Sequence, residues 1–143
     1  MELIRKYSNC FVCGDKNDYG LRVDFFCDEG VSRAEYVADN RFQGYKNILH
    51  GGIISALLDE VMIKAVIAKG ILVVTAEIEV KFIKSVRIGE KLLLEGKVTG
   101  EQKKIFTAEG KVLNSKKEIV ATGKGRFFKV TEEMRETLEQ SLE

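Results

Sequence analysis

An acidic residue within an apolar segment, Asp59, is the first candidate for chemistry in this 143-residue sequence. Residues 51–69 consist mostly of aliphatic side chains and predict a helix. At about 100° per residue, Asp59 shares its face with Gly52, Ser55, Met62, Ile63 and Val66. An apolar environment disfavours the charged carboxylate and raises its pKa, which makes Asp59 a candidate general base or nucleophile. A structural carboxylate that caps a loop or pairs with a distant arginine is the alternative.

The adjacent carboxylate, Glu60, is predicted to be structural. It precedes Lys64 by four residues, and this order and spacing favour an ion pair on a helix surface. We therefore expect a solvated pair in which Glu60 takes no part in chemistry.

The segment His50-Gly51-Gly52 stands at the start of the same predicted helix. Two glycines there would expose backbone N–H groups at the positive end of the helix dipole and let a ligand approach closely. Such donors can stabilise negative charge that develops on a carbonyl oxygen. A tight helix start without a ligand is the alternative, and His50 alone is more often a structural hydrogen-bonding residue than a catalyst.

The spacing of these two features bears on assembly. His50 and Asp59 are nine residues apart, which is roughly 13 Å along a helix. One chain therefore cannot bring both to one carbonyl group. Two such helices, antiparallel across a two-fold axis, would place Gly51 and Gly52 of one chain near Asp59 of the other, so a shared site would require at least a dimer.

The composition excludes several other kinds of site. His50 is the single histidine, so any catalytic triad, Cys-His dyad or histidine-rich metal site would have to use it. Cys10 and Cys13 have the C-x-x-C spacing of zinc ligands, but a second pair is missing. Cys27 and His50 could in principle complete such a site, yet we expect no metal and no cofactor. Neither a nucleophile-elbow motif nor a phosphate-binding loop is present.

The charge balance points to a small-molecule ligand. With 23 Lys and Arg against 22 Asp and Glu, the net charge of +1 provides no general field for nucleic acid or an anionic membrane. The sequence lacks an apolar run long enough for a transmembrane helix and shows no signal-peptide pattern at its start. Three cysteines are most simply reduced thiols, so a cytoplasmic location is expected.

The predicted elements form a single α+β domain over residues 1–143. Residues 1–20 are an N-terminal segment, and an irregular segment, 39–49, precedes the helix, which Gly70 ends. Strands are predicted at residues 21–27, 32–38, 74–82, 91–99, 103–113 and 118–129. A short charged helix at 131–142, capped by Thr131, follows within the C-terminal segment 130–143.

Two patterns predict how sheet and helix fit together. In residues 74–82, Val74, Ala76, Ile78, Val80 and Phe82 alternate with Thr75, Glu77, Glu79 and Lys81. In the last strand, Ala121, Gly123 and Gly125 share a face on which a helix could lie close. Because the helix is apolar on almost every side, it must be enclosed. An antiparallel sheet wrapped around one long central helix is therefore predicted.

Three segments resemble one known family. Residues 42–60, FQGYKNILHGGIISALLDE, resemble a segment of hotdog-fold thioesterases of the PaaI-like, acyl-CoA-hydrolysing group. Residues 75–98, TAEIEVKFIKSVRIGEKLLLEGKV, resemble the strand that follows the central helix in that family. Residues 10–21, CFVCGDKNDYGL, are similar to the N-terminal segment of one subgroup. Together the resemblance covers most of residues 10–128.

The resemblance implies a hotdog fold and hydrolysis of an acyl-CoA thioester at the interface of a homodimer or a dimer of dimers. By position, Asp59 would be the general base or nucleophile. The N–H of Gly51 or Gly52 from the partner chain would polarise the thioester carbonyl, and His50 would help to position it. Thr75 would hold water near Asp59.

The same resemblance suggests residues that contact the substrate. Gln43 is expected beside the site in the loop before the helix, and Lys84 and Arg87 are candidates for the phosphates of coenzyme A. The identity of the acyl group depends on pocket shape, to which three residues are expected to contribute: Met62, Phe42 and Tyr45.

Some positions depart from the family pattern. Gly44 stands where some members have Asn, Lys46-Asn47 where relatives often have Pro-Gly, and Ser85 where they have Pro. The glycine leaves open whether water or Asp59 itself attacks. A non-catalytic hotdog module that binds acyl-CoA shares every feature except turnover. A hotdog hydratase acting on enoyl thioesters is less favoured, because the only histidine precedes the helix.

Overall fold

The structure is a computed structural model that describes residues 1–141. Its strands are β1 (Glu2–Leu3), β2 (Phe26–Asp28), β3 (Val31–Val37), β4 (Val73–Phe82), β5 (Lys91–Gln102), β6 (Ile105–Leu113) and β7 (Ile119–Lys129). The helices are α1 (Gly51–Ile67) and α2 (Glu132–Ser141), and a 3-10 turn (Asn40–Phe42) lies in the irregular segment. The strands form one antiparallel sheet in the order β1-β2-β3-β5-β6-β7-β4, which packs against α1. The predicted α+β hotdog architecture is confirmed.

Small residues let the sheet approach the central helix. A Cβ atom on Gly123 of β7 would lie 3.4 Å from Met62 and 3.5 Å from Leu58. At Gly96 of β5 the approach is closer, since a Cβ atom would meet the carbonyl oxygen of Val61 at 2.4 Å. The prediction that a helix lies close to the small residues of the last strand is therefore confirmed. Within residues 1–141, neither α1 nor α2 has the length and apolar character needed to cross a membrane.

The first predicted strand is wrong over most of its length. Residues 21–25 are irregular, and the strand β2 covers only Phe26–Asp28. The reason is that this stretch bonds to the N-terminal segment instead of to β3: the N–H of Val23 donates to the carbonyl of Val12 at 2.8 Å. Val23 is nevertheless buried, so its apolar character indicated burial correctly but not the pairing partner.

The ends of the central helix follow the predicted signals closely. The helix α1 begins at Gly51 as predicted and ends at Ile67, two residues before the predicted end. Gly70 then takes the left-handed conformation, with φ +83°. This conformation costs glycine little, because it has no Cβ atom.

The later strands differ from prediction only at their ends. The predicted strand 91–99 extends to Gln102, and the predicted strand 103–113 begins at Ile105, because Lys103 takes a φ of +58° in the turn between them. The terminal helix α2 follows Thr131, whose Oγ1 accepts a hydrogen bond from the N–H of Met134 at 3.3 Å, as the predicted cap requires. The last predicted residue of that helix, 142, lies outside the described residues.

The predicted solvated pair of Glu60 and Lys64 is wrong. The side chain of Glu60 is 11% exposed and that of Lys64 is fully buried, with 3.9 Å between Lys64 Nζ and Glu60 Oε2. Lys64 Nζ also donates to the carbonyl of Arg5, and it lies 5.3 Å from the centre of the Tyr7 ring. The N-terminal segment covers this face of α1, which the helix pattern alone could not show.

Candidate active site

Asp59 and Thr75 form a direct contact between the central helix and the sheet. Thr75 Oγ1 donates a hydrogen bond to Asp59 Oδ1 at 2.8 Å. Asp59 is half-buried on α1, and this burial raises the pKa of its carboxyl group, while the bond from Thr75 acts in the opposite direction. The pair is thus a partly desolvated carboxylate held in place by one hydroxyl donor.

A bulge in β4 directs Thr75 toward the helix. The register against β7 shifts between Thr75 and Glu77, so that Thr75 lies opposite Phe127 and Ile78 lies opposite Gly125. Phe127 is fully buried and Gly125 lies against the helix, so Thr75 and Ile78 share the face that packs on α1. Strict alternation predicted that Thr75 and Ile78 lie on opposite faces of the sheet. That prediction is wrong, because the extra residue of the bulge reverses which residues of β4 face the helix.

His50 caps the central helix. Its Nδ1 accepts a hydrogen bond from the N–H of Gly52 at 2.8 Å, while its own N–H bonds to the carbonyl of Phe42 at 2.9 Å. The Gly52 N–H is therefore already used. Across the part of the chain that the structure describes, the Gly51 N–H has no acceptor. Of the two glycines, Gly51 is the one with an N–H available for a ligand.

A shallow cleft adjoins Gly51. Its volume is about 260 Å³, and its lining includes Gly51, Phe82 and Lys84. The ring of Phe82 approaches so closely that a Cβ atom on Gly51 would lie 3.4 Å from it. Lys84 is exposed and forms an ion pair with Glu118. The cleft thus combines a backbone donor, an aromatic wall and one cation.

A larger cavity lies beside Thr75. Its volume is about 560 Å³, it is open to solvent, and it is lined by residues of the N-terminal segment, α1, β4 and α2. Apolar side chains at its wall include Ile63, Val74 and Leu138, and Thr75 and Cys10 add polar groups. No residue pattern in the N-terminal segment or in α2 indicates that these two elements meet at β4, so the sequence does not predict their place at this cavity.

The remaining predicted substrate residues lie in different surroundings. Gln43 stabilises the loop before α1 with two hydrogen bonds. The Gln43 Nε2 donates to the carbonyl of Asn40 at 3.0 Å, and the Gln43 Oε1 accepts from the N–H of Asn47 at 2.7 Å. Arg87 is exposed and bridges by its backbone to Ile48, next to the start of α1.

The three residues expected to shape the pocket are spread apart. Met62 is fully buried between α1 and the sheet, where it has no surface open to a ligand. Phe42 is half-buried and packs edge-on against Phe11 with 6.2 Å between ring centres, and Tyr45 is 85% exposed. In place of Met62, the side chain of Ile63 lines the cavity beside Thr75.

One chain therefore holds two half-sites at separate places on α1. The carboxylate half-site contains Asp59 and Thr75, and the donor half-site contains His50 and Gly51. Eight residues of helix separate Gly51 from Asp59, or about 12 Å. A single carbonyl group cannot contact both half-sites of the same chain.

Comparison with known proteins agrees with this fold. The family model of the thioesterase superfamily matches residues 46–121. A "putative esterase" of Archaeoglobus fulgidus is 31% identical over 105 residues, which cover 73% of this chain and 68% of that protein.

Solved structures of the same fold are less similar in sequence. A thioesterase superfamily protein superposes with a TM-score of 0.80 at 23% identity over 85% of this chain, and the chain spans 60% of that protein's length. The PaaI protein from the phenylacetic acid degradation operon of Escherichia coli superposes with a TM-score of 0.73 at 20% identity, and the match covers 78% of this chain and 81% of that protein. A Streptococcus mutans protein solved with acetyl-CoA superposes with a TM-score of 0.71 at 23% identity, and the match covers 76% of this chain and 88% of that protein. With more than half of its residues matched by the family model, the chain belongs to the thioesterase superfamily.

Proposed function

We propose that the protein hydrolyses acyl-CoA thioesters to a free acid and coenzyme A. Membership in the thioesterase superfamily supports thioesterase activity in general. The observation that carries the finer proposal is the half-buried carboxylate of Asp59, held by Thr75 beside an apolar cavity of about 560 Å³. An acyl chain is the apolar part of such a substrate, and it matches a cavity walled by aliphatic side chains.

The chemistry needs only a base and a hydrogen-bond donor, because a thioester is already activated. Asp59 takes a proton from water, which attacks the carbonyl carbon, or its carboxylate attacks directly and water then cleaves the anhydride. In either route the carbonyl oxygen becomes negatively charged, and the free N–H of Gly51 is the donor suited to stabilise it. The C–S bond breaks when this intermediate collapses, which in the second route happens before water cleaves the anhydride, and the departing thiolate of coenzyme A takes up a proton.

A dimer would bring the two half-sites together. Within residues 1–141, one face of α1 is left partly exposed by the sheet, and this face carries Gly52, Ser55, Ala56, Asp59 and Ile63. The neighbouring strand β4 forms an end of the sheet and leaves Phe82 56% exposed. Two antiparallel copies of α1 meeting at this face would place Gly51 of one subunit beside Asp59 of the other.

Related structures support coenzyme A as the carrier. One is solved with acetyl-CoA and another, from Streptococcus pneumoniae, with coenzyme A. Two variants of the hypothetical thioesterase from Streptococcus pneumoniae have also been solved, one with a threonine and one with an aspartate replaced by alanine. Those two positions are sixteen residues apart, as Asp59 and Thr75 are in this chain. Lys84 beside the Gly51 cleft is the candidate for a phosphate contact, with Arg87 as the second.

The test is release of thiol from a panel of acyl-CoA substrates by the full chain. Asp59→Asn should lower kcat about 10²–10⁴-fold, because the amide cannot accept the proton. The matched control is Asp18→Asn, which changes an exposed aspartate that forms an ion pair with Arg22. Circular dichroism and size-exclusion chromatography should show the same fold and assembly in all three proteins.

Two outcomes would contradict the proposal. Near-normal turnover by Asp59→Asn would remove Asp59 from the mechanism. Saturable binding of acyl-CoA by the wild type without thiol release, for every member of the panel, would instead indicate a non-catalytic ligand-binding module.

A further inference from the structure

Cys10, Cys13 and Glu60 converge where the N-terminal segment covers the central helix. Each offers one ligand atom, and the three atoms lie within 4.8 Å of one another. Cys10 Sγ is 3.6 Å from Glu60 Oε2, although the two residues are 50 positions apart in sequence. Cys13 is fully buried and Glu60 is 8% exposed. No metal was expected because the sequence lacks a second cysteine pair, but the fold brings Glu60 to the two cysteines as a third candidate ligand.

The C-x-x-C segment is folded to present its sulfur atoms. The N–H of Cys13 donates to Cys10 Sγ at 3.4 Å, and the N–H of Gly14 donates to the carbonyl of Cys10 at 2.9 Å. A Cβ atom on Gly14 would lie 2.5 Å from the Cys10 nitrogen and from the Ser8 oxygen, so the turn requires glycine.

The charges around the cluster call for a cation. Glu60 and Lys64 are both buried, where a charge without a partner is costly. The buried ammonium group of Lys64, 3.9 Å from Glu60 Oε2, compensates one negative charge. Two thiolates and one carboxylate would carry three negative charges in all, so a divalent ion would neutralise the two that Lys64 does not compensate.

We propose that Cys10, Cys13 and Glu60 bind a zinc ion in a tetrahedral site whose fourth ligand is water. With Zn–S near 2.3 Å and Zn–O near 2.1 Å, tetrahedral geometry separates sulfur and oxygen ligands by about 3.6 Å, the distance found between Cys10 and Glu60. Thiolate with carboxylate favours zinc over the harder magnesium and calcium ions. Cys10 also lines the 560 Å³ cavity, from which water can reach the ion.

The ion would fasten the N-terminal segment to α1. The segment already contacts the helix through the bond from Lys64 to the carbonyl of Arg5. Two cysteines from the segment and one glutamate from the helix would add a bridge between the same two elements. Because thiols lose their protons when they coordinate, binding should also release protons.

The test measures metal binding without substrate, so its result is independent of hydrolysis. The full chain, purified without chelator, should contain about one zinc per chain by elemental analysis. After chelation and full reduction, titration with Co²⁺ should give thiolate-to-cobalt charge-transfer bands and the intense visible absorption of a tetrahedral ion. Zn²⁺ affinity is then measured by competition with a chromophoric chelator.

Three variants assign the ligands. Cys10→Ser and Glu60→Gln should each weaken Zn²⁺ binding more than about 100-fold, because losing an outer-shell partner alone already costs roughly 10–100-fold. Cys27→Ser is the matched control, since Cys27 is a free, half-buried thiol in β2 outside the cluster, and it should bind Zn²⁺ as the wild type does. Circular dichroism of the metal-free variants separates loss of binding from loss of fold.

Several results would overturn the proposal. One is a fully reduced wild type that holds far less than one zinc per chain and gives no saturable cobalt spectrum. Unchanged Zn²⁺ affinity in Cys10→Ser or in Glu60→Gln is another. Reversible formation of a disulfide between Cys10 and Cys13, in a protein that binds no Zn²⁺ when reduced, would assign the cysteines to redox chemistry instead.

Discussion

Replacing Thr75 by valine should raise the pH at which the enzyme becomes active. Thr75 Oγ1 donates to Asp59 Oδ1 at 2.8 Å, and this bond lowers the pKa of a carboxyl group that burial raises. Valine has nearly the same shape as threonine but no hydroxyl group. The change from threonine to valine therefore removes the hydroxyl group that stabilises the carboxylate form of Asp59 and leaves the effect of burial in place.

The magnitude follows from the strength and surroundings of this bond. Hydrogen bonds to charged groups contribute about 1.5–3 kcal/mol. Thr75 is exposed, and water can replace part of the lost bond, so the lower part of this range applies. A loss of about 1.5 kcal/mol, at the bottom of the range, corresponds to about one pK unit. In the proposed mechanism Asp59 acts as the deprotonated carboxylate, so a higher pKa would remove more activity at low pH than at high pH.

The assay is kcat/KM for thiol release as a function of pH, which reports the groups of the free enzyme. The acid limb of the Thr75→Val profile should lie about one unit above that of the wild type, and Thr75→Ser, which keeps the hydroxyl group, should restore it. Thr99→Val is the matched control, because Thr99 is an exposed strand residue whose hydroxyl donates only to Thr107 Oγ1 at 3.2 Å. A uniform loss of activity at every pH, with an unmoved acid limb, would refute the electrostatic role of Thr75.

Two further predictions concern the start and the open face of α1. His50→Ala should lower the free energy of unfolding by about 1 kcal/mol in urea titrations, because it removes the side chain that caps the Gly52 N–H. His50→Asn should keep most of the wild-type stability, because asparagine is also a good helix cap. Equal stability of wild type and His50→Ala would contradict the capping role. Ile63→Glu adds a charge to the exposed face that carries Asp59 and should shift the protein toward monomers in size-exclusion chromatography with light scattering, with parallel loss of thiol release. Val37→Glu, at a residue 56% exposed on β3, should change neither, and a Ile63→Glu variant that is still dimeric would place the interface elsewhere.

Local signals in the sequence were enough to predict the central helix and most of the meander. The start of α1 at Gly51 and the left-handed Gly70 after it depend on residues within one turn of the helix ends. The small residues of β7 showed where the helix packs, because a side chain at Gly123 would meet Met62 and Leu58. These features depend on neighbours in sequence or on a single packed face.

Features that depend on distant partners could not be predicted in the same way. The alternation in β4 is a clean period of two, yet the bulge after Thr75 appears only in the pairing with β7. Residues 21–25 are apolar enough for a strand, but they bond to the N-terminal segment, as Val23 does to Val12. The apolar pattern of residues 21–25 predicted that they are buried, and only the fold shows that the N-terminal segment is the element they pack against.

The two adjacent carboxylates of α1 illustrate why position along a helix does not determine chemistry. Asp59 and Glu60 differ by about 100° around the axis, and burial raises the pKa of both. Asp59 lies on the partly exposed face, where Thr75 holds it beside a cavity large enough for an acyl chain. Glu60 lies under the N-terminal segment, between a buried lysine and two cysteines, where we propose that a metal ion binds. One turn of helix thus carries two carboxylates in different surroundings, and the covering element, which is remote in sequence, sets the surroundings of each.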